Sequence, residues 1–152
     1  MAGGQGISLS ERQPARGEIH IEVIHVESGT RETIDIENLV VDGGKRNLAR
    51  LFAGEPGLHA THVGFGSSSI PAEPGDAALT DSVVVLITAV SFPEPTTVRF
   101  DFELGQTIGN GLNIKEFGLL CADGTLFARR TRPEGLAKTS QDIIRGYWQI
   151  HF

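Results

Sequence analysis

Hydrophobic and polar residues alternate along most of this chain, which is the pattern of β-strands that bury one face. The alternation is clearest over residues 18–27 and 30–41, and the dipeptide Ser28-Gly29 between them is typical of a turn. Two alternating runs joined by a short glycine turn predict a β-hairpin.

The same alternation predicts further strands after this hairpin. They are expected at residues 62–66, 82–92, 96–104, 112–122, 125–132 and in a last run that ends at Phe152. Asp123-Gly124 separates two of these runs and is a strong signal for a second hairpin. Pro93 is expected to end the run that begins at Ser82, and residues 133–138 are expected to form a loop.

One segment changes from the period of a strand to that of a helix. Residues 45–53 place three large apolar side chains on one helical face, namely Leu48, Leu51 and Phe52. Gly54 suits the position just after a helix. We therefore predict one short helix, beginning near Asp42 or Gly43, that covers an end of the sheet.

These elements predict an all-β fold, an antiparallel β-sandwich of about eight strands with one short helix, over residues 18–152. In the last strand, Trp148, Ile150 and Phe152 fall on the face expected to meet the core. Residues 1–17 are polar and lack any periodicity, so we expect an extended N-terminal arm there.

Composition narrows the classes of partner. The 19 glycines and 7 prolines suit a fold with many turns. The net charge of −6 argues against nucleic acid as a partner, because phosphate binding needs clustered Lys and Arg. The single cysteine allows no internal disulfide, and no apolar run approaches the roughly 18 residues of a membrane helix.

Candidate sites for chemistry are few, and each has a simpler structural interpretation. Gly64-Phe65-Gly66 followed by three serines lacks the lysine of a phosphate-binding loop, and it is interpreted as a strand-to-loop turn. His59 and His62 lack a third metal ligand at a recognisable spacing. Cys121 lies in an apolar strand and suits a buried, unreactive thiol. The sequence therefore predicts no catalytic, cofactor-binding or metal-binding residues.

Two groups of charged residues remain. Asp101 and Glu103 share one face of a strand and are expected to be solvated. The only basic cluster consists of Arg129, Arg130 and Arg132, for which a solvated strand end is the expected environment. Neither group predicts an enzyme.

Several segments, in their order and spacing, resemble a family of small bacteriophage virion proteins of the tail and tail-fibre type. They are residues 38–41 leading into 45–52, the run 63–69 followed by Pro71 and residues 75–79, residues 115–120 with 124–129, and residues 137–139 before 147–152. The similarity spans residues 18–152. The chain departs from it after Leu79, where family members often carry an aromatic residue or an arginine and this chain has Thr80-Asp81-Ser82-Val83.

The resemblance implies a non-enzymatic structural protein, made in the host cytoplasm, that works in the virion with copies of itself, as a trimer or hexamer, and with other virion proteins. A tail-associated position is the first expectation, and a capsid decoration protein is the alternative. A carbohydrate-binding module is a further alternative, although aromatic residues are only 7% of the chain. The arm is expected to contact an adjacent subunit through Ile7, Leu9, Arg12 and Arg16.

Overall fold

The structure, a computed structural model, describes residues 15–152 and shows nine strands and one helix within them. The strands are β1 (Arg16–His25), β2 (Thr30–Val40), β3 (Ala60–Gly66), β4 (Val83–Leu86), β5 (Ala89–Glu94), β6 (Thr97–Leu104), β7 (Asn113–Cys121), β8 (Leu126–Ala137) and β9 (Asp142–His151). The helix α1 (Asp42–Phe52) connects β2 and β3.

All nine strands belong to one hydrogen-bonded antiparallel sheet, in the order β4-β3-β7-β8-β2-β1-β9-β6-β5. The predicted hairpin is confirmed, since β1 pairs with β2 with Ile19 opposite Ile36. A mostly β, antiparallel chain with one helix is also confirmed. The predicted eight-stranded sandwich is not confirmed, because the strands form one continuous sheet that curls until its two halves face each other.

The curl depends on the segment that was predicted as one strand over residues 82–92. The chain bends at Ile87-Thr88, so that β4 pairs with β3 at one edge of the sheet and β5 pairs with β6 at the other. The N–H of Ile87 donates to the carbonyl of Thr61 at 2.9 Å, and the N–H of Thr88 donates to that of Asp101 at 2.9 Å. One apolar run therefore joins both edges of the sheet.

Two predicted strand ends were wrong. Pro93 lies inside β5, which is tolerated because an edge strand does not need every N–H group. β8 continues past residue 132 through Pro133 to Ala137, where it pairs with Asn113 after an irregularity in β7. Both prolines occur near edges or bulges, where a missing donor costs little.

Aromatic side chains from both halves of the curled sheet meet in the core. The ring of Phe65 on β3 lies 5.6 Å from that of Phe102 on β6 and 6.1 Å from that of Phe117 on β7. Trp148 is fully buried, and its Nε1 donates a hydrogen bond of 2.6 Å to Oδ1 of Asn38. The core thus joins strands that are distant in the order of the sheet.

The helix starts at Asp42, as predicted, and Leu48 packs against the core. The predicted apolar faces were wrong at two positions, since Phe52 is 97% exposed and Phe152 is 57% exposed. Because Gly44 has no side chain, the helix can approach the sheet closely. A Cβ atom at this position would overlap the backbone carbonyl of Phe127 on β8.

We expect Gly44→Ala to destabilise the protein by about 1–3 kcal/mol, because the added methyl group must push the helix away from β8. A loss of stability would be informative, because replacing glycine by alanine normally stabilises a helix by up to about 1 kcal/mol. Urea unfolding measures the difference. Gly75→Ala, where a Cβ atom meets nothing within 4 Å, is the control. Equal stability of Gly44→Ala and wild type would contradict the close packing.

Candidate functional site

A buried ion pair joins two neighbouring strands. Glu116 on β7 is fully buried, and its Oε2 accepts a hydrogen bond of 2.7 Å from Nε of Arg129 on β8. Nη1 of Arg129 donates in turn to Oδ2 of Asp76 at 2.8 Å. The predicted solvated environment was therefore wrong for Arg129, while its neighbour Arg130 is exposed.

The second oxygen of Glu116 holds the long loop that follows β3. Its Oε1 accepts from the backbone N–H of Thr80 at 2.9 Å and from that of Ser68 at 3.4 Å. Gly66 leaves room for this carboxylate, because a Cβ atom there would overlap it. Glu116, Arg129 and Asp76 thus form a structural clamp that fixes residues 67–82 against the sheet.

Charged and aromatic residues also cover the outer face of β1, β9 and β6, where they line a groove of about 400 Å³. Arg99 lies with its guanidinium carbon 3.8 Å from the ring centre of Tyr147, and the His20 ring stacks on Tyr147 at 5.1 Å. β1 and β6 flank β9 on opposite sides, so these two residues approach Tyr147 from opposite sides.

Both arginines of this groove are paired with carboxylates. Nε of Arg99 donates to Asp101 at 2.9 Å, and Nε of Arg145 donates to Glu22 at 2.9 Å. The hydrogen bond from Arg145, opposed by partial burial, lowers the pKa of Glu22. Asp101 is therefore an ion-pair partner, whereas Glu103, which also lines the groove, is exposed as predicted.

A histidine joins the ends of three strands. His25 contacts Glu32 through Nε2 at 2.6 Å and Asp142 through Nδ1 at 2.7 Å. The hydrogen bonds to Glu32 and Asp142 raise the pKa of His25 above its usual range. Burial alone would raise the pKa of Asp142, but hydrogen bonds from Thr139 and His25 lower it overall.

The other residues considered from the sequence lie on or beside the paired strands β3 and β7, where Ala60 pairs with Cys121. Cys121 is buried, as predicted, and this burial raises the pKa of its thiol. His59 is exposed, and Nδ1 of His62 lies 2.8 Å from the hydroxyl of Thr61. Within residues 15–152, no three His, Cys, Asp or Glu side chains are grouped so that they could hold a metal ion. The glycine-serine segment is the end of β3 and the start of a loop.

Large apolar side chains are exposed at one end of the curled sheet. A cleft of about 150 Å³ opens there between α1 and the ends of β6 and β9. Its lining includes Leu48, Leu51, Leu58, Val98, Phe100 and Phe152. Phe92, on the adjacent β5, is 72% exposed, and every residue of β5 is exposed.

The residues predicted for assembly can be placed only in part. Arg16 is exposed, is the first residue of β1 and pairs with His151, next to Phe152. Ile7, Leu9 and Arg12 lie outside the described residues. The exposed Phe52, Phe92 and cleft were not predicted as a site, although the sequence did show Phe52 beside Leu51.

Comparison with family models, with curated proteins and with solved structures finds no match for this chain. The helix that the structure describes is too short to span a bilayer.

Removing one partner of the buried pair is expected to leave an unpaired charge in the interior. We expect Arg129→Met to cost about 3–5 kcal/mol in the free energy of unfolding. Adding Glu116→Gln should recover part of this loss, because glutamine is uncharged and keeps an oxygen for the N–H of Thr80. Urea unfolding tests the series, with exposed Arg130→Met as the control. A double variant less stable than Arg129→Met would contradict the clamp.

The His25 interactions predict a pH dependence of stability. Because its pKa is raised on folding, the stabilisation is fully present below the ordinary histidine pKa of about 6.5 and is lost as pH rises through the raised pKa. The difference in unfolding free energy between wild type and His25→Gln should therefore be larger near about pH 6 than near pH 9. Urea unfolding across this range, with His59→Gln as control, measures it. A difference that is independent of pH would contradict the assignment.

Proposed function

We propose that this chain is a non-enzymatic structural protein of a bacteriophage virion, associated with the tail, and that copies of it assemble into a symmetric oligomer. The observation that carries the proposal is the apolar end of the fold. The 97% exposed Phe52 follows Leu51, which lines an apolar cleft, and the exposed strand β5, with the 72% exposed Phe92, pairs with β6, whose Phe100 also lines it. Exposed large apolar side chains of this kind are typical of contact sites between proteins.

The pairing of the strands places β5 beside the cleft. Val90 on β5, which is 55% exposed, lies opposite Phe100, which lines the cleft. The N–H of Phe152 donates to the carbonyl of Thr96 at 3.0 Å, which holds Phe152 beside the start of β6. A neighbouring subunit that covers this end would bury aromatic side chains, which contribute most to binding energy at interfaces.

The outer groove supports a carbohydrate-binding role less well. Sugar recognition needs an aromatic ring with a free face, and Tyr147 has Arg99 and His20 against it from the two neighbouring strands. Two carboxylates of the groove, those of Glu22 and Asp101, form ion pairs with arginines, which also argues against their acting as a catalytic pair.

The resemblance to tail and tail-fibre proteins favours the tail, and the buried clamp agrees with a rigid structural role. The clamp holds a long loop on the sheet through the backbone of Thr80 and the side chain of Asp76. A fixed loop presents a constant outer surface to neighbouring subunits, as a repeated contact in a symmetric assembly requires.

The copy number of the chain in particles tests this function. We expect quantitative mass spectrometry of purified particles of the phage that encodes it to find a small multiple of three or six copies, in the tail fraction after heads and tails are separated. Hundreds of copies in the head fraction would overturn the tail position and favour capsid decoration. Absence from particles would overturn the virion function.

A further inference from the structure

The sheet is incomplete between β2 and β8. Both strands lie within the described part of the chain, and they form two residue pairs there, Leu39 with Arg129 and Val40 with Ala128. β2 begins well before these pairs and β8 continues well beyond them, where each strand pairs with its other neighbour. The two strands therefore separate and leave a gap in the sheet.

This gap is a groove of about 620 Å³. β2 lines it at residues 37–39, β8 lines it at residues 129–131, and Pro71 of the loop after β3 also lines it. The structural clamp holds this loop on the sheet, so the wall that the loop forms is fixed before anything binds. The volume is in the range of ligand-binding sites.

The backbone of β2 has unused hydrogen-bonding groups along the groove. The N–H of Val41, which continues β2 in an extended conformation, donates to the carbonyl of Phe127 at 3.0 Å. Backbone groups of a strand point alternately towards its two neighbours, so those of Asp35 and Glu37 point to the same side as those of Val41. The ladder with β8 ends at Leu39, and these groups therefore lack a strand partner in the described structure.

Two further donors without a partner belong to the same two strands. Three buried side-chain nitrogen or oxygen atoms lack a partner within residues 15–152, and two of them are Nδ2 of Asn38 and Nη1 of Arg132. Oδ1 of Asn38 accepts from Trp148, which fixes the orientation of the amide. Both unpartnered atoms are therefore N–H donors. A carboxylate can accept from them and balance the charge of the arginine.

Arg130 adds a second positive charge to the groove. It is exposed, and among the residues that the structure describes it has no carboxylate partner. Because Leu39 lies opposite Arg129, the residues next to them, Asn38 and Arg130, share the other face of the sheet. A carboxylate directed to that face therefore meets a positive charge and an amide N–H.

The face that carries Leu39 has the opposite charge. Asp35 and Glu37 are exposed on it. Glu37 lies directly opposite Glu18 on β1, where like charges repel each other. Basic side chains on this face would relieve the repulsion. The segment that fits the gap therefore has an acidic residue between two basic ones, since neighbouring residues of an extended chain point to opposite faces.

The described part of a second copy offers no such segment. All nine of its strands already belong to its own sheet. Of the two edge strands, β4 contains no charged residue and β5 contains only Glu94. Insertion between two strands requires a segment that is not already held in a sheet, which favours a different protein as the source.

We propose that an extended segment of a different protein, with an acidic residue between basic ones, inserts between β2 and β8. Its backbone pairs with β2 at Asp35 and Glu37. Its carboxylate binds the donors of Arg130, Arg132 and Asn38. This contact is separate from the apolar end of the fold and goes beyond the self-assembly proposed above.

Amide hydrogen exchange of the purified full-length chain, followed by NMR, tests the gap itself. We expect the amides of Asp35 and Glu37 to exchange at least tenfold faster than those of Ile34 and Ile36, which face β1. Equal protection of the two sets would show that β8 closes on β2, and it would overturn the proposal.

A synthetic peptide tests recognition. The acetylated and amidated peptide Thr-Val-Lys-Glu-Lys-Val-Thr presents its glutamate on one face and its lysines on the other. It should bind with a dissociation constant below about 1 mM and slow exchange at Asp35 and Glu37. Glutamine in place of its glutamate should weaken binding roughly tenfold, because a hydrogen bond to a charged group is lost. No binding at about 1 mM, or binding confined to the outer groove of β1, β9 and β6, would overturn the proposal.

Arg130→Gln separates the carboxylate contact from a general effect on the groove. It should weaken binding of the glutamate peptide roughly tenfold and of the glutamine peptide much less, whereas Arg50→Gln on the exposed face of α1 should change neither. Equal weakening of both peptides would overturn the carboxylate contact. Weaker self-association of the Arg130→Gln chain would assign the gap to a second copy and overturn a different protein as the occupant. These measurements use purified protein, so their failure is distinguishable from failure to find the chain in particles.

Discussion

The fold depends on the bend at Ile87-Thr88, where one apolar segment passes from one edge of the sheet to the other. On one side of the bend, Val83 and Val85 pack on the core from β4, and on the other side β5 pairs with β6. The two backbone hydrogen bonds at the bend connect it to β3 and β6. Because the edges meet here, the sheet must curl, and Phe65 and Phe102 can pack against each other across the core.

The two special features of the surface follow from this curl. A curled sheet leaves its ends open, and the end beside α1 is only partly filled by Leu48 and Leu51, which produces the apolar cleft. Elsewhere the long loop after β3 lies against the sheet, and a buried carboxylate is needed to bind its backbone N–H groups. Glu116 supplies this carboxylate, and Arg129 balances its charge inside the protein.

Much of the fold was predictable because the strands that cross the core alternate strictly. The hairpin of β1 and β2, the turn at Asp123-Gly124 and the start of the helix all depend on neighbouring residues, which a sequence displays directly. The bend inside residues 82–92 was not predictable in this way. An apolar run has the same sequence pattern whether it forms one strand or two strands at opposite edges of a sheet. Pro93 was misleading because its effect depends on whether the strand lies at an edge.

The site was harder to predict because it depends on contacts between distant segments. Glu116 lies among apolar residues of a strand, which is a usable signal for a buried charge. Its partner Arg129 is next to the exposed Arg130, and the sequence alone does not distinguish the two arginines. Phe52 and Phe152 follow the patterns of buried faces, yet the sheet ends before it covers them. The proposed contact between copies rests on this departure of exposed residues from the pattern of buried faces.

Copies of this chain are proposed to meet at the apolar end of the fold. Hydrogen–deuterium exchange, compared between the assembled protein and the dilute monomer, tests this contact. We expect slower exchange on assembly at the amides of β5 and at Phe152, with little change along the outer groove formed by β1, β9 and β6. Slower exchange confined to that groove, with β5 unchanged, would contradict it.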